Sequence, residues 1–201
     1  MEKPFSPACE RNQEPIFSAI SPILKNVHDV LEIGSGTAQH AAYFAKLMPW
    51  LNWQCSDVQE NLAGIQMWVD DANLSNLLAP IELDVSTTSI KRQYDAIYSC
   101  NTLHIMSEQH VKDFFKLIST ITPDHADLII YGPFNYQGQY TAGSNADFDR
   151  WLKERNPESS IRDFEWINEL AERIGFILVD DKTMPANNRF LHWHHAGLPD
   201  R

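Results

Sequence analysis

The chain has 201 residues, 43% of them hydrophobic, and is long enough to bury a full core as one domain. Its 16 Lys and Arg residues are scattered among 27 Asp and Glu, giving a formal net charge of −11. This balance argues against nucleic acid or an anionic membrane as partner and favours a small-molecule substrate. The three cysteines form no C-x-x-C pair and no long apolar run is present, so we expect no metal site, no export and a reduced, cytoplasmic compartment.

The spacing of apolar residues alternates between that of strands and that of helices along most of the chain. It predicts helices at about 15–23, 37–48, 60–74, 108–121, 147–154 and 162–173, and strands at about 29–33, 52–55, 80–83, 95–99, 127–131, 176–179 and 189–194. Such alternation predicts an α/β fold with a doubly wound, Rossmann-like sheet of seven strands. The last two strands have no helix between them and should pair antiparallel, so the sheet is mainly parallel with one antiparallel strand.

The domain organisation follows from the same pattern. Residues 1–201 are predicted as a single domain, because no linker, repeat or low-complexity tract divides them. At about 132–160 the periodicity breaks and glycine and polar residues accumulate. We interpret this segment as a helical and loop insertion that covers the active-site end of the sheet. The sequence leaves the oligomeric state open.

The turn after the first strand carries the strongest functional signal. Glu32 is followed by Gly34 and Gly36, which let the backbone approach a ligand closely. The spacing does not fit the dinucleotide fingerprint, which needs a third glycine where this chain has Gln39. It resembles instead the acidic-x-Gly-x-Gly-x-Gly loop of class I S-adenosylmethionine-dependent methyltransferases, with Ala38 in the last place. That resemblance implies that the cofactor contacts Glu32, Gly34, Ser35, Gly36, Thr37 and His40.

Polar residues that follow the other parallel strands should lie at the same edge of the sheet. Asp57 stands past the second strand and is predicted to accept both ribose hydroxyls of the cofactor. After the third strand, the Asp84 carboxylate and the Val85 N–H are predicted to hold adenine, and a helix-capping role for Asp84 is the alternative. Asn101, past the fourth strand, is the expected meeting point of cofactor and substrate.

His104 is the candidate catalytic residue. The pKa of a free histidine lies near neutrality, so His104 could take a proton from an attacking O–H or N–H group. A structural role is the alternative, because methyl transfer often needs no base. His192, His194 and His195 alternate across the last strand with no Cys or carboxylate cluster beside them in the sequence, and we interpret them as a solvated strand end rather than a metal site.

Aromatic residues are frequent just after the fifth strand. Phe134, Tyr136 and Tyr140 stand in a glycine-rich segment, where packing explains them less well than elsewhere. They are predicted to wall a pocket for an aromatic or cationic substrate.

Six segments together resemble the domain of unknown function 938 family, which includes the methyltransferase-like 26 proteins of animals. They are residues 8–16, 30–40, 101–105, 131–134, 160–163 and 184–188. The resemblance covers nearly the whole chain and implies the class I fold and S-adenosylmethionine binding, without indicating a substrate. It implies that Arg11 and Asn12 border the cofactor cleft, and that Asn145, Arg162 and Asn187 border its open end. With Tyr131 and Phe134, these three are the predicted substrate-binding residues.

The sequence leaves three functions open. The first is an S-adenosylmethionine-dependent methyltransferase (EC 2.1.1.-) acting on an O or N nucleophile of a small molecule. The second is a nicotinamide-dependent oxidoreductase, against which the glycine spacing argues. The third is a protein that binds S-adenosylmethionine without turnover, which nothing in the sequence excludes.

Overall fold

Across residues 2–197, which the computed structural model describes, the chain forms the strands β1 (Asp29–Ile33), β2 (Asn52–Asp57), β3 (Leu77–Glu82), β4 (Ala96–Cys100), β5 (Asp127–Gly132), β6 (Phe134–Asn135), β7 (Arg162–Asp163), β8 (Phe176–Met184) and β9 (Asn188–His195). One sheet has the order β3-β2-β1-β4-β5-β9-β8, and β6 pairs with β7 in a short separate unit. In the large sheet, β9 runs opposite to the other six strands, which share one direction. This confirms the predicted doubly wound, seven-stranded α/β fold with one reversed strand.

Helices cover both faces of the sheet. They are α1 (Pro7–Ile20), α2 (Gln39–Leu47), α3 (Gln59–Ala72), α4 (Glu108–Ile121), α5 (Gly143–Arg155) and α6 (Phe164–Arg173). One hydrophobic core lies between the sheet and α1, α2 and α3, and the other lies between the sheet and α4 and α6. None of the helices among the described residues combines the length and the apolar composition that crossing a bilayer requires.

Strand β4 illustrates how the sequence divides between the two cores. Tyr98 contributes to the core under α1, α2 and α3, whereas its neighbour Ile97 contributes to the opposite core. Successive side chains of a strand point to opposite faces, so a central strand covered on both sides must be apolar throughout. The carboxyl end of β4 is therefore held rigidly at the edge where the functional residues lie.

Three element boundaries differ from those predicted. Helix α1 begins at Pro7, and Pro15 lies in its interior, because two prolines offer the same start signal and the earlier one is used. Strand β3 begins at Leu77, which pairs with Trp53 of β2. Strand β8 continues to Met184, since its pairing with β9 supplies hydrogen bonds to residues too polar to be predicted as a strand.

The segment between β5 and α6 contains β6, α5 and β7. The pairing of Phe134 with Arg162 and of Asn135 with Asp163 closes the segment at its base. Helix α5 is buried through Asn145, Asp149 and Leu152. The segment predicted as an insertion is thus a packed helix between two short paired strands.

Candidate functional site

A cleft of ≈ 830 Å³ opens at the carboxyl ends of β1, β2, β4 and β5. It is bounded on one side by α1 and on the other by α5 and the turn between β8 and β9. Fourteen residues predicted from the sequence line it: Arg11, Asn12, Glu32, Gly34, Ser35, Gly36, Thr37, His40, Asp57, Asn101, His104, Tyr131, Asn145 and Asn187. Six others that were predicted do not line it: Asp84, Val85, Phe134, Tyr136, Tyr140 and Arg162.

The two glycines of the β1–α2 loop have different roles. Both have positive φ, +78° at Gly34 and +57° at Gly36. A Cβ at Gly34 would lie 2.6 Å from the Thr102 side chain, so this glycine allows β1 and the β4–α4 loop to pack closely. A Cβ at Gly36 would meet no atom within 4 Å. Gly36 therefore keeps the floor of the cleft open, with its N–H turned toward β2.

Ala38 occupies the place of a third glycine and shares its backbone conformation. Its φ is 62°, in the left-handed region that disfavours any residue with a Cβ, and it immediately precedes α2. The methyl group is fully buried in the core under α1, α2 and α3. Burial of the methyl group offsets part of the backbone strain.

Asp57 braces the glycine loop. Its Oδ2 accepts the N–H of Gly36 at 2.7 Å. Its Oδ1 accepts the N–H of Val58 and the side-chain amide of Asn61, both at 2.8 Å. An ionised carboxylate has about four acceptor positions, so Asp57 retains one of them, on Oδ2, toward the cleft. The predicted bonds to two ribose hydroxyls thus face competition from the protein's own donors.

Glu32 is a carboxylate buried beneath the cleft, with 1% of its surface exposed. It accepts the indole N–H of Trp53 at 3.1 Å. Burial is the largest cause of a pKa raised to about 7, and the negative charge of Asp57 adds to it. The hydroxyl of Tyr98, in the same core, is buried with no hydrogen-bond partner among the described residues. A cationic group placed at this end of the cleft would favour the ionised form of Glu32.

His40 joins α2 to α1. Its Nε2 lies 2.7 Å from Oδ1 of Asn12, and its ring stacks on Phe44 at 5.4 Å. Burial lowers the pKa of His40 to about 4, so the ring is neutral at pH 7. The pair fixes the position of Asn12 along the cleft, and His40 itself lines the cleft as predicted.

The start of α2 is covered by the chain's own N-terminal segment. The side-chain oxygen of Gln39 accepts the backbone N–H of Ser6 at 2.5 Å and the hydroxyl of Thr37 at 3.0 Å. Dinucleotide-binding folds place a pyrophosphate at this helix start. Here the glutamine and the segment before α1 occupy that position.

His104 lies in the β4–α4 loop and is 7% exposed. Burial, followed by the positive charge of Arg162, lowers its pKa to about 4. Its ring meets the edge of Phe148 with centroids 5.3 Å apart. His104 is therefore neutral at pH 7 and presents a hydrogen-bond acceptor to the cleft, as a proton-accepting group requires.

Arg162 supports this loop from behind instead of contacting the cleft. Its guanidinium donates to the backbone carbonyls of Leu103, Met106 and Glu158 and to the hydroxyl of Ser160. All five N–H donors of an arginine are in a fixed fork, so a buried guanidinium can hold several carbonyls at once. These bonds use four of the five donors, and Arg162 does not line the cleft, so the structure gives no support to its implied substrate contact.

Asp84 and Val85 also lie outside the cleft. The Asp84 carboxylate accepts the N–H of Ser86 at 2.9 Å and its hydroxyl at 2.6 Å, which holds its pKa below the usual range. Val85 packs against the core under α4. Asp84 thus caps a turn and not the helix that was its predicted alternative, because no helix forms at 86–90, and neither Asp84 nor Val85 lines the cleft to contact adenine.

The aromatic residues after β5 do not form a substrate wall. Phe134 is buried in the core under α4, Tyr136 bonds to Asp181, and the hydroxyl of Tyr140 donates to Asp149. Packing and hydrogen bonding account for all three. Because these three side chains make internal contacts and do not line the cleft, the structure gives no support to the predicted substrate wall.

Two parts of the lining escaped the sequence analysis. Phe148 lies three residues after Asn145 on α5 and shares its face, so helical spacing could have identified it once Asn145 was suspected. The turn at 185–188 lines the cleft because β9 runs in reverse, so its beginning, rather than its end, lies at the carboxyl edge of the sheet. Only Asn187 of this turn was predicted, from the family resemblance of residues 184–188.

The histidines of β9 lie at the opposite end of the sheet. His192 and His194 both bond Oδ1 of Asp127, the first residue of β5, at 2.8 and 3.0 Å. Within residues 2–197, no group of three or more His, Cys, Asp or Glu side chains is arranged to hold a metal ion. These histidines form hydrogen bonds within the sheet, away from the cleft.

A family model described as "Protein of unknown function (DUF938)" matches residues 3–195. Among solved structures, the chain is similar to an O-methyltransferase family protein from Burkholderia thailandensis, with a TM-score of 0.83 and 13% identity over 94% of this chain and 57% of that one. It is also similar to human N-acetylserotonin methyltransferase in complex with S-adenosylmethionine, with a TM-score of 0.80 and 12% identity over 94% and 53%.

A third similar structure is the S-adenosylmethionine-dependent methyltransferase SibL, with a TM-score of 0.79 and 18% identity over 94% of this chain and 55% of that one. The chain thus spans between 53% and 57% of the length of the three proteins. The TM-scores of 0.79–0.83 establish the shared fold, and identities of 12–18% establish nothing beyond it.

Proposed function

The chain belongs to the DUF938 family, and on this premise we propose that it is an S-adenosylmethionine-dependent methyltransferase acting on an O or N nucleophile of a small molecule. Cofactors of this kind have a nucleoside, a sulfonium and an amino-acid group. The backbone of the glycine loop and the free acceptor position of Asp57 suit the nucleoside. Glu32, Asn12 and Arg11 suit the charged amino-acid group.

The observation that carries the proposal is the contrast between Gly36 and Gln39. Gly36 leaves open space above the loop, as a ligand lying flat on it requires. Gln39, bonded to Ser6, occupies the helix start where a dinucleotide would place its pyrophosphate. Together, these two observations on Gly36 and Gln39 favour a mononucleoside ligand over a nicotinamide dinucleotide. The similarity to S-adenosylmethionine-bound human N-acetylserotonin methyltransferase supports the same choice.

When bound, such a cofactor supplies an activated methyl group on a sulfonium that leaves as a neutral thioether. The chain's own residues then position the nucleophile, and His104, which lines the cleft and is neutral at pH 7, would accept its proton. Helix α1 closes one side of the cleft and limits the access of water.

Isothermal titration with S-adenosylhomocysteine and with NAD⁺ tests this proposal. We expect the first to bind with a Kd below ~1 mM, which is about −4 kcal/mol, and the second not to bind. Binding of NAD⁺ alone would favour the oxidoreductase. Binding of S-adenosylhomocysteine without methyl transfer to any acceptor would leave only the non-catalytic alternative.

Two glycine variants show whether the ligand lies on the loop. Gly36→Leu should weaken the binding of S-adenosylhomocysteine at least ~10-fold, because the leucine side chain would project into the cleft. Gly138→Leu is the matched control, since Gly138 has a similar φ of +69° and equally open surroundings but lies outside the cleft. Equal losses in the two variants would mean that the effect comes from backbone strain alone.

A further inference from the structure

The charged side chains of the cleft lie at one end. They are Arg11, Glu32 and Asp57, on α1, β1 and β2. We call the other end the acceptor half: it is lined by Thr102, His104, Ile105, Tyr131, Pro133, Ser144, Asn145, Phe148 and residues 185–188. Among the described residues that line this half, none is Asp, Glu, Lys or Arg. A carboxylate or alkylammonium group bound there would lose its hydration without gaining an opposite charge, which is costly.

One wall of the acceptor half is aromatic. The ring of Phe148 stacks on that of Trp151, with centroids 5.6 Å apart and an interplanar angle of 22°. This contact fixes the orientation of the Phe148 ring. The Phe148 and His104 rings meet edge to face, with centroids 5.3 Å apart and an interplanar angle of 74°. Ile105, beside His104 on the same loop, is 55% exposed and extends the apolar surface. Offset and edge-to-face contacts with a ligand ring are favoured on such a wall.

The same face of α5 carries one oriented amide. Asn145 is 5% exposed, and its Nδ2 donates to the hydroxyl of Thr141 at 2.9 Å and to the carbonyl of Asn187 at 3.3 Å. Both of its N–H donors are therefore used, and no donor among the described residues reaches its Oδ1. The amide presents an acceptor, not a donor, toward the acceptor half.

On the premise of the proposed function, we propose that the methyl acceptor is an uncharged aromatic compound with a ring hydroxyl. The ring packs on Phe148, the reacting hydroxyl bonds to His104, and a second donor on the ring, where present, bonds to Asn145. The hydroxyl oxygen forms the new bond to the methyl carbon as the carbon–sulfur bond breaks with its electron pair remaining on sulfur. The hydroxyl proton passes to the His104 imidazole and from there to solvent.

The alternatives are less compatible with the lining. An alkylamine is protonated near pH 7 and would need a carboxylate, and a carboxylic acid would need a cation. The acceptor half provides neither. An aliphatic alcohol carries no net charge, but it would not use the aromatic wall.

The test is titration into the protein saturated with S-adenosylhomocysteine, with 2-naphthol, 6-hydroxy-2-naphthoate, 2-naphthylmethylamine and cyclohexanol as probes. Failure of S-adenosylhomocysteine to bind at the outset would overturn the proposed function itself. Given that binding, 2-naphthol should bind at least ~10-fold more tightly than each of the other three probes. Equal or tighter binding of a charged probe, or no binding of 2-naphthol, overturns the substrate class.

Substitutions of Phe148 test whether 2-naphthol binds in the acceptor half. Phe148→Ala should weaken the binding of 2-naphthol at least ~5-fold and leave the affinity for S-adenosylhomocysteine unchanged, since Phe148 lies only in the acceptor half. Phe148→Leu, which keeps more of the packing, guards against a folding defect. Phe5→Ala is the control, because Phe5 is an exposed phenylalanine outside the cleft. An unchanged affinity for 2-naphthol in both Phe148 variants contradicts the proposed ring contact.

Discussion

The carboxylate of Asp57 accepts the backbone N–H of Gly36 at 2.7 Å, across 21 residues of sequence. The bond ties the end of β2 to the loop after β1, the two elements that bound the proposed nucleoside position. Because the same carboxylate also accepts from Val58 and Asn61, its orientation is fixed before any ligand binds. Asp57 therefore acts on the loop as well as on the ligand.

Substitution of Asp57 tests both roles. Asp57→Ala removes the brace of the loop and the remaining acceptor position, so we expect S-adenosylhomocysteine affinity to fall by about 1–3 kcal/mol. Asp57→Asn, which keeps one oxygen, should give a smaller loss in the same titration. Asp70→Ala, an exposed aspartate on α3, is the control. An unaltered Kd in Asp57→Ala would contradict the role given to this carboxylate.

The left-handed backbone at Ala38 gives a second prediction, about stability. In Ala38→Gly the released strain offsets the lost methyl burial, so the free energy of unfolding should change by less than ~0.5 kcal/mol. Ala41→Gly is the matched change in the interior of α2, also fully buried, and should cost about 1–2 kcal/mol. Urea unfolding measures both. Similar losses in the two variants would show that Ala38 is not strained.

A third prediction concerns the pH dependence of stability. Since burial raises the pKa of Glu32 from 4.5 to about 7, the unfolded chain ionises first as pH rises, and the folded state loses stability between these values. Glu32→Gln keeps an acceptor for Trp53 and lacks this loss. The free energy of unfolding of Glu32→Gln, relative to that of the wild type, should therefore increase from pH 4.5 to pH 8, by on the order of 3 kcal/mol at most.

Thermal unfolding of Glu32→Gln and wild type across that range makes the comparison. Glu82→Gln removes a carboxylate from an exposed position of β3 and serves as the control. A constant difference between Glu32→Gln and wild type at all pH values would mean that Glu32 ionises as easily folded as unfolded.

A fourth prediction separates support from substrate contact at Arg162. Arg162→Gln removes the bonds to the carbonyls of Leu103 and Met106, so backbone amides in residues 103–107 should exchange with deuterium faster. Stability should fall by about 1.5–3 kcal/mol, and S-adenosylhomocysteine should bind as before. Arg173→Gln, an exposed arginine of α6, should alter neither quantity. Unchanged exchange in residues 103–107 would contradict the supporting role.

Much of the fold was predictable because its signals are local. The apolar run at 127–131 and the absence of a helix between the last two strands were enough to indicate the parallel sheet and its reversed strand. The boundaries were less predictable, because tertiary pairing decides them: the polar second half of β8 is a strand only because β9 lies beside it.

The site divides in the same way. Gly34, Gly36 and Asp57 follow strand ends, so topology alone brings them together. Asp84 also follows a strand, but the same carboxylate can cap a turn, and sequence does not distinguish the two uses. Phe134 and Phe148 both lie in the segment after β5, and only the docking of α5 decides that the second faces the cleft and the first the core.

The reversal of β9 has a consequence for how selectivity can vary. In a wholly parallel sheet, the segment beside a ligand also connects a strand to a helix, so altering it disturbs two layers. Residues 185–187 instead form the bend of a hairpin, which Asn187 joins to α5 by hydrogen bonds with Ser144 and Asn145. Exchange of that bend for one of different length or polarity would therefore change the lining of the cleft without altering a strand-to-helix connection.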